Sequence, residues 1–373
     1  MQAGGSPIVI DPYVAQHMLQ VGATLIIAGV PVGTEFGIDL SSYDVGERFR
    51  GVKMIPPGPH YVFCAARDSY GTTAPRVGFA HYFKPCEIVV KEWDPQTEEL
   101  RTRQCQDIEL EKQRIRENLK DLDRFLAPYD FKELAKWKSL TDTITEDVLC
   151  RCTPQSGFIR NSMEFLSCPD SERPRGGAPG NYKNLPYVAD ESELLPNLKP
   201  LPDTALNFKE LPPRIPKGVA PSEVTRHHLD CIEAVDAFFA KFSDQIEAIQ
   251  EIQLAFIFFC SGYSVDSLAH WRKTLNLLSN SETAVDKYML FYMKYLEILQ
   301  FQLPELPEEL MEQTKNNTVC RDVRSLLQNC AVAGLHISAD RMAKRLKKTM
   351  KWKFDGLLDE DPEDMPVVVD NAD

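Results

Sequence analysis

The hydrophobic pattern changes period once along the chain. Up to about residue 105, apolar runs are short, alternate with polar positions and end in turn residues. Thr24–Ala28, Glu35–Asp39, His60–Ala65, Arg76–Phe83 and Ile88–Trp93 read as strands, because period-two alternation bounded by glycine and proline marks a half-buried strand. Their spacing predicts an antiparallel sandwich or barrel, preceded by a short helix over Pro12–Gln20. A glycine-punctuated block organises this region: Gly33, then Glu35-Phe36-Gly37-Ile38-Asp39, then Gly51 and Pro56-Pro57-Gly58. The prolines cannot continue a helix or a central strand, so they force a turn. Every glycine in the block has a structural use, as a backbone angle or a close approach that a side chain would forbid.

Beyond Asp107 the period becomes helical. Ile115, Leu119, Leu122 and Leu126 share a face and predict one helix from Asp107 to Leu126, ended by Pro128. Phe131 to Leu140 is a second amphipathic segment, and Thr143-Ile144-Thr145-Glu146 has the form of a capping box opening a third. Residues 154–221 lose all periodicity and hold nearly half of the 26 prolines, with a glycine cluster around Gly176-Gly177. This composition reads as an extended linker. Its second half carries Leu194, Leu195, Leu198, Leu201, Leu206, Phe208, Leu211 and Ile215, which suits a segment lying along the protein surface.

Helices dominate after Ser222, a good N-cap. Leu229, Ile232, Val235, Phe239 and Phe242 form one stripe. Ile249 to Phe259 is apolar on more than one face, as expected of a central helix. Trp271, Leu275 and Leu278, then Tyr288 to Leu299, form two more stripes. Pro304 and Pro307 interrupt, and helices resume over Val319–Ala333 and Ala339–Met350. The expected fold is therefore α+β: a β-rich, antiparallel sandwich-like domain with covering helices (1–153), a Pro/Gly-rich linker (154–221), an all-α bundle (222–354) and an acidic tail with a short strand (355–373).

Composition narrows the function. The 373 residues are 43% hydrophobic and 26% charged, ordinary globular values that accommodate two domains. No apolar run reaches the roughly 18–20 residues of a membrane span, and the N-terminus lacks the basic start and apolar core of a secretory signal. A net charge of -13 disfavours direct, sequence-independent nucleic-acid binding, which depends on neutralising phosphates. The 10 cysteines form no C-x-x-C pair; Cys150-Arg151-Cys152 comes nearest. They read as reduced thiols among apolar neighbours, not as zinc ligands.

Catalytic signatures are missing. His227 and His228 are adjacent, so on a helix they point about 100° apart and cannot chelate one ion. His60 and His81 fall on separate strands and could face each other inside a barrel, but the His-x-His and carboxylate set of such a metal site is lacking. There is no nucleophile elbow, Walker loop or dinucleotide fingerprint. The expectation is a protein without catalytic residues, cofactor or metal.

Two features point to binding instead. Met365-Pro366-Val367-Val368-Val369 follows an acidic stretch outside any visible domain. An isolated strand is unstable, so this tail is either disordered, docked on its own chain, or added to the edge of another protein's sheet. The second feature is a basic helix carrying Arg341, Lys344, Arg345 and Lys348, with Lys347, Lys351 and Lys353 beside them. It is either a solvated face or a contact for phosphate or an acidic partner.

The ordered motifs resemble the AAR2 family of splicing factors, which assemble the U5 small nuclear ribonucleoprotein. The resemblance rests on Glu35 to Asp39, Phe49 to Gly58, Asn118 to Tyr129, Phe208-Lys209-Glu210-Leu211-Pro212, His270 to Leu278, Lys351 to Phe354 and Pro362 to Val369. It implies a β-rich N-terminal and a helical C-terminal domain. It also implies a non-catalytic assembly factor that binds the large spliceosomal scaffold protein through its ribonuclease-H-like and deubiquitinase-like domains. Holding these together keeps helicase and RNA away until the particle matures. The protein would then shuttle between cytoplasm and nucleus, with phosphorylation as one means of release; Ser222, Ser264, Ser279 and Ser281 are candidate serines. Partner contacts fall on Phe208, Leu211 and the tail from Met365 to Val369, which the resemblance assigns to β-addition. The alternative is a general adaptor in trafficking or ubiquitin pathways.

Overall fold

The computed structural model describes residues 11–68, 70–103, 107–169, 198–215, 221–314 and 317–354. The tail from residue 355 onward, with Met365, Pro366 and the three valines, lies outside the described residues.

The chain opens with α1 (Pro12–Val21), followed by β1 (Ala23–Ala28), β2 (Glu35–Ile38), β3 (Ser41–Asp44), β4 (Gly51–Ile55), β5 (Gly58–Ala65), β6 (Val77–Phe83), β7 (Ile88–Asp94) and β8 (Glu99–Thr102). Then come α2 (Ile108–Glu117), α3 (Leu119–Leu122), β9 (Leu126–Pro128), α4 (Leu134–Thr141), α5 (Glu146–Cys152), β10 (Ile159–Arg160), β11 (Phe165–Ser167) and β12 (Leu198–Pro200). The helical part runs α6 (Pro221–Leu229), α7 (Ile232–Phe239), α8 (Gln245–Cys260), α9 (Val265–Ser279), α10 (Glu282–Lys287), α11 (Met289–Gln302), α12 (Glu308–Met311), α13 (Thr318–Cys330) and α14 (His336–Met350).

The strands make two five-stranded sheets, ordered β8-β7-β1-β4-β9 and β10-β6-β5-β2-β3, and a separate two-stranded sheet of β11 and β12. The second is antiparallel throughout; the first is mixed, with β1 parallel to β7 and β4 parallel to β9. Leu25, Ile27 and Val52 from the first sheet and Phe36, Val62 and Phe79 from the second share one buried core. This is the expected α+β architecture, with antiparallel pairing dominant.

The expected helix from Asp107 to Leu126 is broken. Asp107 caps α2 through Leu110 N–H, but the helix stops at Asn118, and Leu126 lies on β9 beside Gly51. Pro128 explains part of this: the residue before a proline is pushed from helical to extended backbone. The capping box is not formed either. Thr145 is the N-cap residue of α5, and Thr143 Oγ1 donates to Gln253 Oε1 at 2.6 Å. The stripe from Leu229 to Phe242 is likewise two helices, α6 and α7, and Leu229 is 80% exposed. Farther on, α13 and α14 are separated where Gly334 takes φ 87°.

The chain gathers into two compact units that are not contiguous in sequence. One takes the chain through Trp137, Ile144–Phe208 and Ile257–Leu268; the other takes Lys138–Thr143, Lys209–Phe256 and the chain from Ala269 onward. In the second unit Val235, Phe256, Trp271, Tyr292, Tyr295, Val323 and Leu346 are buried. Trp271 Nε1 donates to Gln302 Oε1 at 2.9 Å, so the indole is buried with its polar atom satisfied.

Candidate partner-binding surfaces

The glycine block builds structure around a buried polar hub. Asp39 takes φ 56° at the end of β2, a left-handed conformation that short polar residues tolerate. Its Oδ1 accepts from Tyr61 N–H at 3.0 Å, and its Oδ2 accepts from Tyr129 Oη at 2.6 Å. His60 Nδ1 lies 2.6 Å from the same Oδ2, and His60 Nε2 lies 2.7 Å from the Pro56 carbonyl oxygen. Burial, with the neighbouring Asp39 charge second, pushes the Tyr129 phenol far above its ordinary value, so it remains a donor. Glu35 accepts from Arg76 Nη2 at 2.6 Å, and Phe36 is fully buried. Gly37 faces Phe63 across the β2–β5 pair, where any Cβ would overlap the ring. Gly51 combines φ 136° with a Cβ direction blocked by the Leu25 carbonyl.

The segment from Leu198 to Ile215 is held by backbone hydrogen bonds. Leu201 N–H donates to Glu164 O, and Asn207 N–H donates to Cys152 O. Half-buried Phe208 stacks on Phe258 with centroids 6.2 Å apart. In the other unit, Lys209 N–H donates to Glu251 Oε1 at 2.7 Å, and Lys241 Nζ donates to the Glu210 carbonyl at 2.6 Å. Leu211 then lines a concavity of ≈ 550 Å³ together with residues of α9 and α13.

The basic residues of α14 have unequal surroundings. Arg345 lies 4.2 Å over the Phe301 ring, an internal cation–π contact. Lys344 pairs with Asp340 at 2.6 Å, both ends exposed. Arg341 and Lys348 are exposed. Arg341 also lines a groove of ≈ 460 Å³ with Leu290, Met293, Glu297 and Met342. Leu290 on α11 is 82% exposed and Ile337 on α14 is 65% exposed. Their exposure is hard to see in the sequence, because both sit among apolar residues at helical spacing. Leu211 and Arg341 line different concavities.

The histidine pair does not form a metal site. His60 and His81 are directly opposed on β5 and β6, but His81 Nε2 lies 3.2 Å from both carboxylate oxygens of Glu87 while His60 serves Asp39. Among the described residues no group of three potential ligands is poised for a metal ion. Cys231 and Cys330 are buried free thiols, and burial pushes them up to about 11 and about 12. Ser264 directly precedes α9 and Ser281 is the N-cap residue of α10, while Ser279 ends α9; all three are buried. Ser281 Oγ is committed to Asp230 and to capping Ala284 N–H. Among the described residues no helix is long and apolar enough to cross a membrane.

The chain matches known proteins over almost its whole length. Residues 21–154 match the AAR2 N-terminal domain, and residues 208–355 match the AAR2 C-terminal repeat region. The protein AAR2 homolog of Mus musculus is 33% identical, with 98% of each chain covered. That of Homo sapiens is 32% identical over 97% of each chain. That of Caenorhabditis elegans is 29% identical, covering 92% of this chain and 98% of its own.

Proposed function

Because this chain belongs to the AAR2 family, we propose that it is a non-catalytic assembly factor of the U5 small nuclear ribonucleoprotein, supporting pre-mRNA splicing. The observation that carries this reading is the in-order match of both family regions. The partner is the large spliceosomal scaffold protein, engaged at its ribonuclease-H-like and deubiquitinase-like domains. Binding holds helicase and RNA away until maturation, and the protein travels with the particle between cytoplasm and nucleus.

Several modest contacts on two compact units, joined in one chain, raise affinity through effective concentration. Phe208 and Leu211 lie on a segment already fixed by hydrogen bonds, so little ordering entropy is lost there on binding. The tail strand from Met365 to Val369 adds to a sheet edge of the scaffold. The Arg341–Lys348 face of α14 meets an acidic surface.

Crosslinking mass spectrometry of the endogenous complex tests the reading. Crosslinks to the scaffold from both units and from the tail are expected. Recovery of membrane-traffic or ubiquitin machinery without the scaffold would overturn it in favour of a general adaptor.

A further inference from the structure

The concavity beside Leu211 holds a concentration of positive charge that the assembly role does not use. Arg214, Arg272, Lys273 and Arg321 line it, and Asp322 is the carboxylate among them. The chain as a whole carries -13, so this is local charge against the global trend. Arg272 and Asn276 stand one helical turn apart on α9, and Thr318 and Asp322 do the same on α13. Both helices thus turn polar, mainly cationic faces into one space.

Around Arg272, Lys273 and Arg321 the lining offers one carboxylate, Asp322, so internal pairing does not consume their charge. Arg272 Nη2 donates to Thr318 Oγ1 at 2.6 Å, a neutral partner that fixes the guanidinium without neutralising it. Asp322 Oδ1 accepts from Asn276 Nδ2 at 3.0 Å and lies 3.9 Å from Arg321 Nε. Asp322 is 4% exposed, so it sits at the floor, while Lys273 is exposed at the rim. Burial pushes its carboxyl up against the opposing effects of Asn276 and of Arg321, Arg214 and Arg272, so all three guanidinium groups lie near it. One carboxylate faces Arg272, Lys273 and Arg321, which leaves two positive charges in surplus. Leu211 and Leu277 give the same space an apolar side.

We propose that this concavity is a binding site for a phosphate monoester. A phosphate ester carries about -1.5 to -2 charges at neutral pH, which matches the surplus, and guanidinium groups bind its oxygens in pairs. The apolar side suits the carbon carrier of an ester and has no use for a free ion. The site does not depend on the scaffold reading, and either stands if the other fails.

The test is titration of the full chain at constant ionic strength with N-acetyl-O-phosphoserine amide, inorganic phosphate and N-acetylserine amide, followed by amide NMR shifts. Saturable binding of the phosphoserine amide is expected, weaker binding of inorganic phosphate, and none of the unphosphorylated amide. Arg272→Gln combined with Arg321→Gln weakens binding at least about tenfold, as for losing charge-assisted hydrogen bonds. Lys273→Gln alone weakens it severalfold without touching the core, which keeps the test decisive if the double variant folds poorly. Arg341→Gln combined with Lys348→Gln, on the other basic face, leaves it unchanged. Equal or tighter binding of inorganic phosphate overturns the ester assignment. Non-saturable shifts, or equal loss from the α14 variants, overturn the site.

Discussion

Asp39 and His60 form a buried ion-pair geometry, with Oδ2 2.6 Å from Nδ1 and both side chains 2% exposed. Asp39 belongs to the glycine-punctuated block and His60 to the strand that its last glycine opens, and each has further partners: Tyr61 N–H and Tyr129 Oη for Asp39, the Pro56 carbonyl for His60. The block is thus a polar clasp that ties the end of β2 to the start of β5, with β9 and the chain after it held through Tyr129.

Removing Asp39 leaves Tyr61 N–H, Tyr129 Oη and His60 Nδ1 without their buried partner, which costs about 1–3 kcal/mol for each group left unsatisfied. Asp39→Ala is expected to lower the chemical denaturation midpoint accordingly. Asp39→Asn tolerates the positive φ and keeps an oxygen acceptor, so its loss is smaller. Equal losses in the two variants would show that the charge and the hydrogen bonds are not what hold this turn.

Gly37 gives a packing prediction. A Cβ there overlaps the Phe63 ring, and the two residues are cross-strand partners. Gly37→Ala should therefore destabilise the chain by about 1–3 kcal/mol through overpacking. Phe63→Leu should cost less in the Gly37→Ala background than alone, because the smaller side chain relieves the overlap. A double-mutant cycle in urea measures the coupling, and strict additivity would exclude direct contact as the cause.

The fold class was readable because the change of period from two to 3.6 is a local property. Strands β1 and β5 to β7 begin and end within a few residues of their alternating runs. What escaped depends on partners distant in sequence. Leu126 fits a helical stripe, but backbone pairing with Gly51 and the Pro128 ring put it on a strand. Leu229 continues an apolar spacing and is nonetheless exposed, because the chain turns at Asp230. Arg272 and Arg321 are ordinary surface residues in sequence, and only packing of α9 and α13 brings them together.

That turn at Asp230 carries a pH prediction. Its Oδ1 accepts from Ser281 Oγ and from Ile232 N–H, and its Oδ2 accepts from Thr283 N–H, so one carboxylate links the start of α7 to the start of α10. Burial works against its charge, but these hydrogen bonds outweigh it and hold the carboxyl below its usual value. A lowered folded-state value means that the stabilisation is complete above the unfolded-chain value, about pH 4. It is lost as pH falls through the folded-state value. Wild type should therefore melt higher than Asp230→Asn near neutral pH, with the gap closing below about pH 4. A gap that stays constant into acid would mean that the carboxylate's charge contributes nothing.

The two ends of the α14 basic face should respond differently to substitution. Arg345 stacks on Phe301, so Arg345→Ala removes a packing contact and is expected to cost about 0.5–1 kcal/mol of stability. Lys348 is exposed, and Lys348→Glu should leave the melting temperature within error. If this face meets an acidic partner surface, the reversed charge acts on encounter: the association rate falls, and its dependence on salt flattens. Dissociation should change little, since a rim charge contributes mainly to steering. Stopped-flow association with a scaffold fragment at two ionic strengths reads both quantities, and an unchanged rate at low salt would remove α14 from the interface.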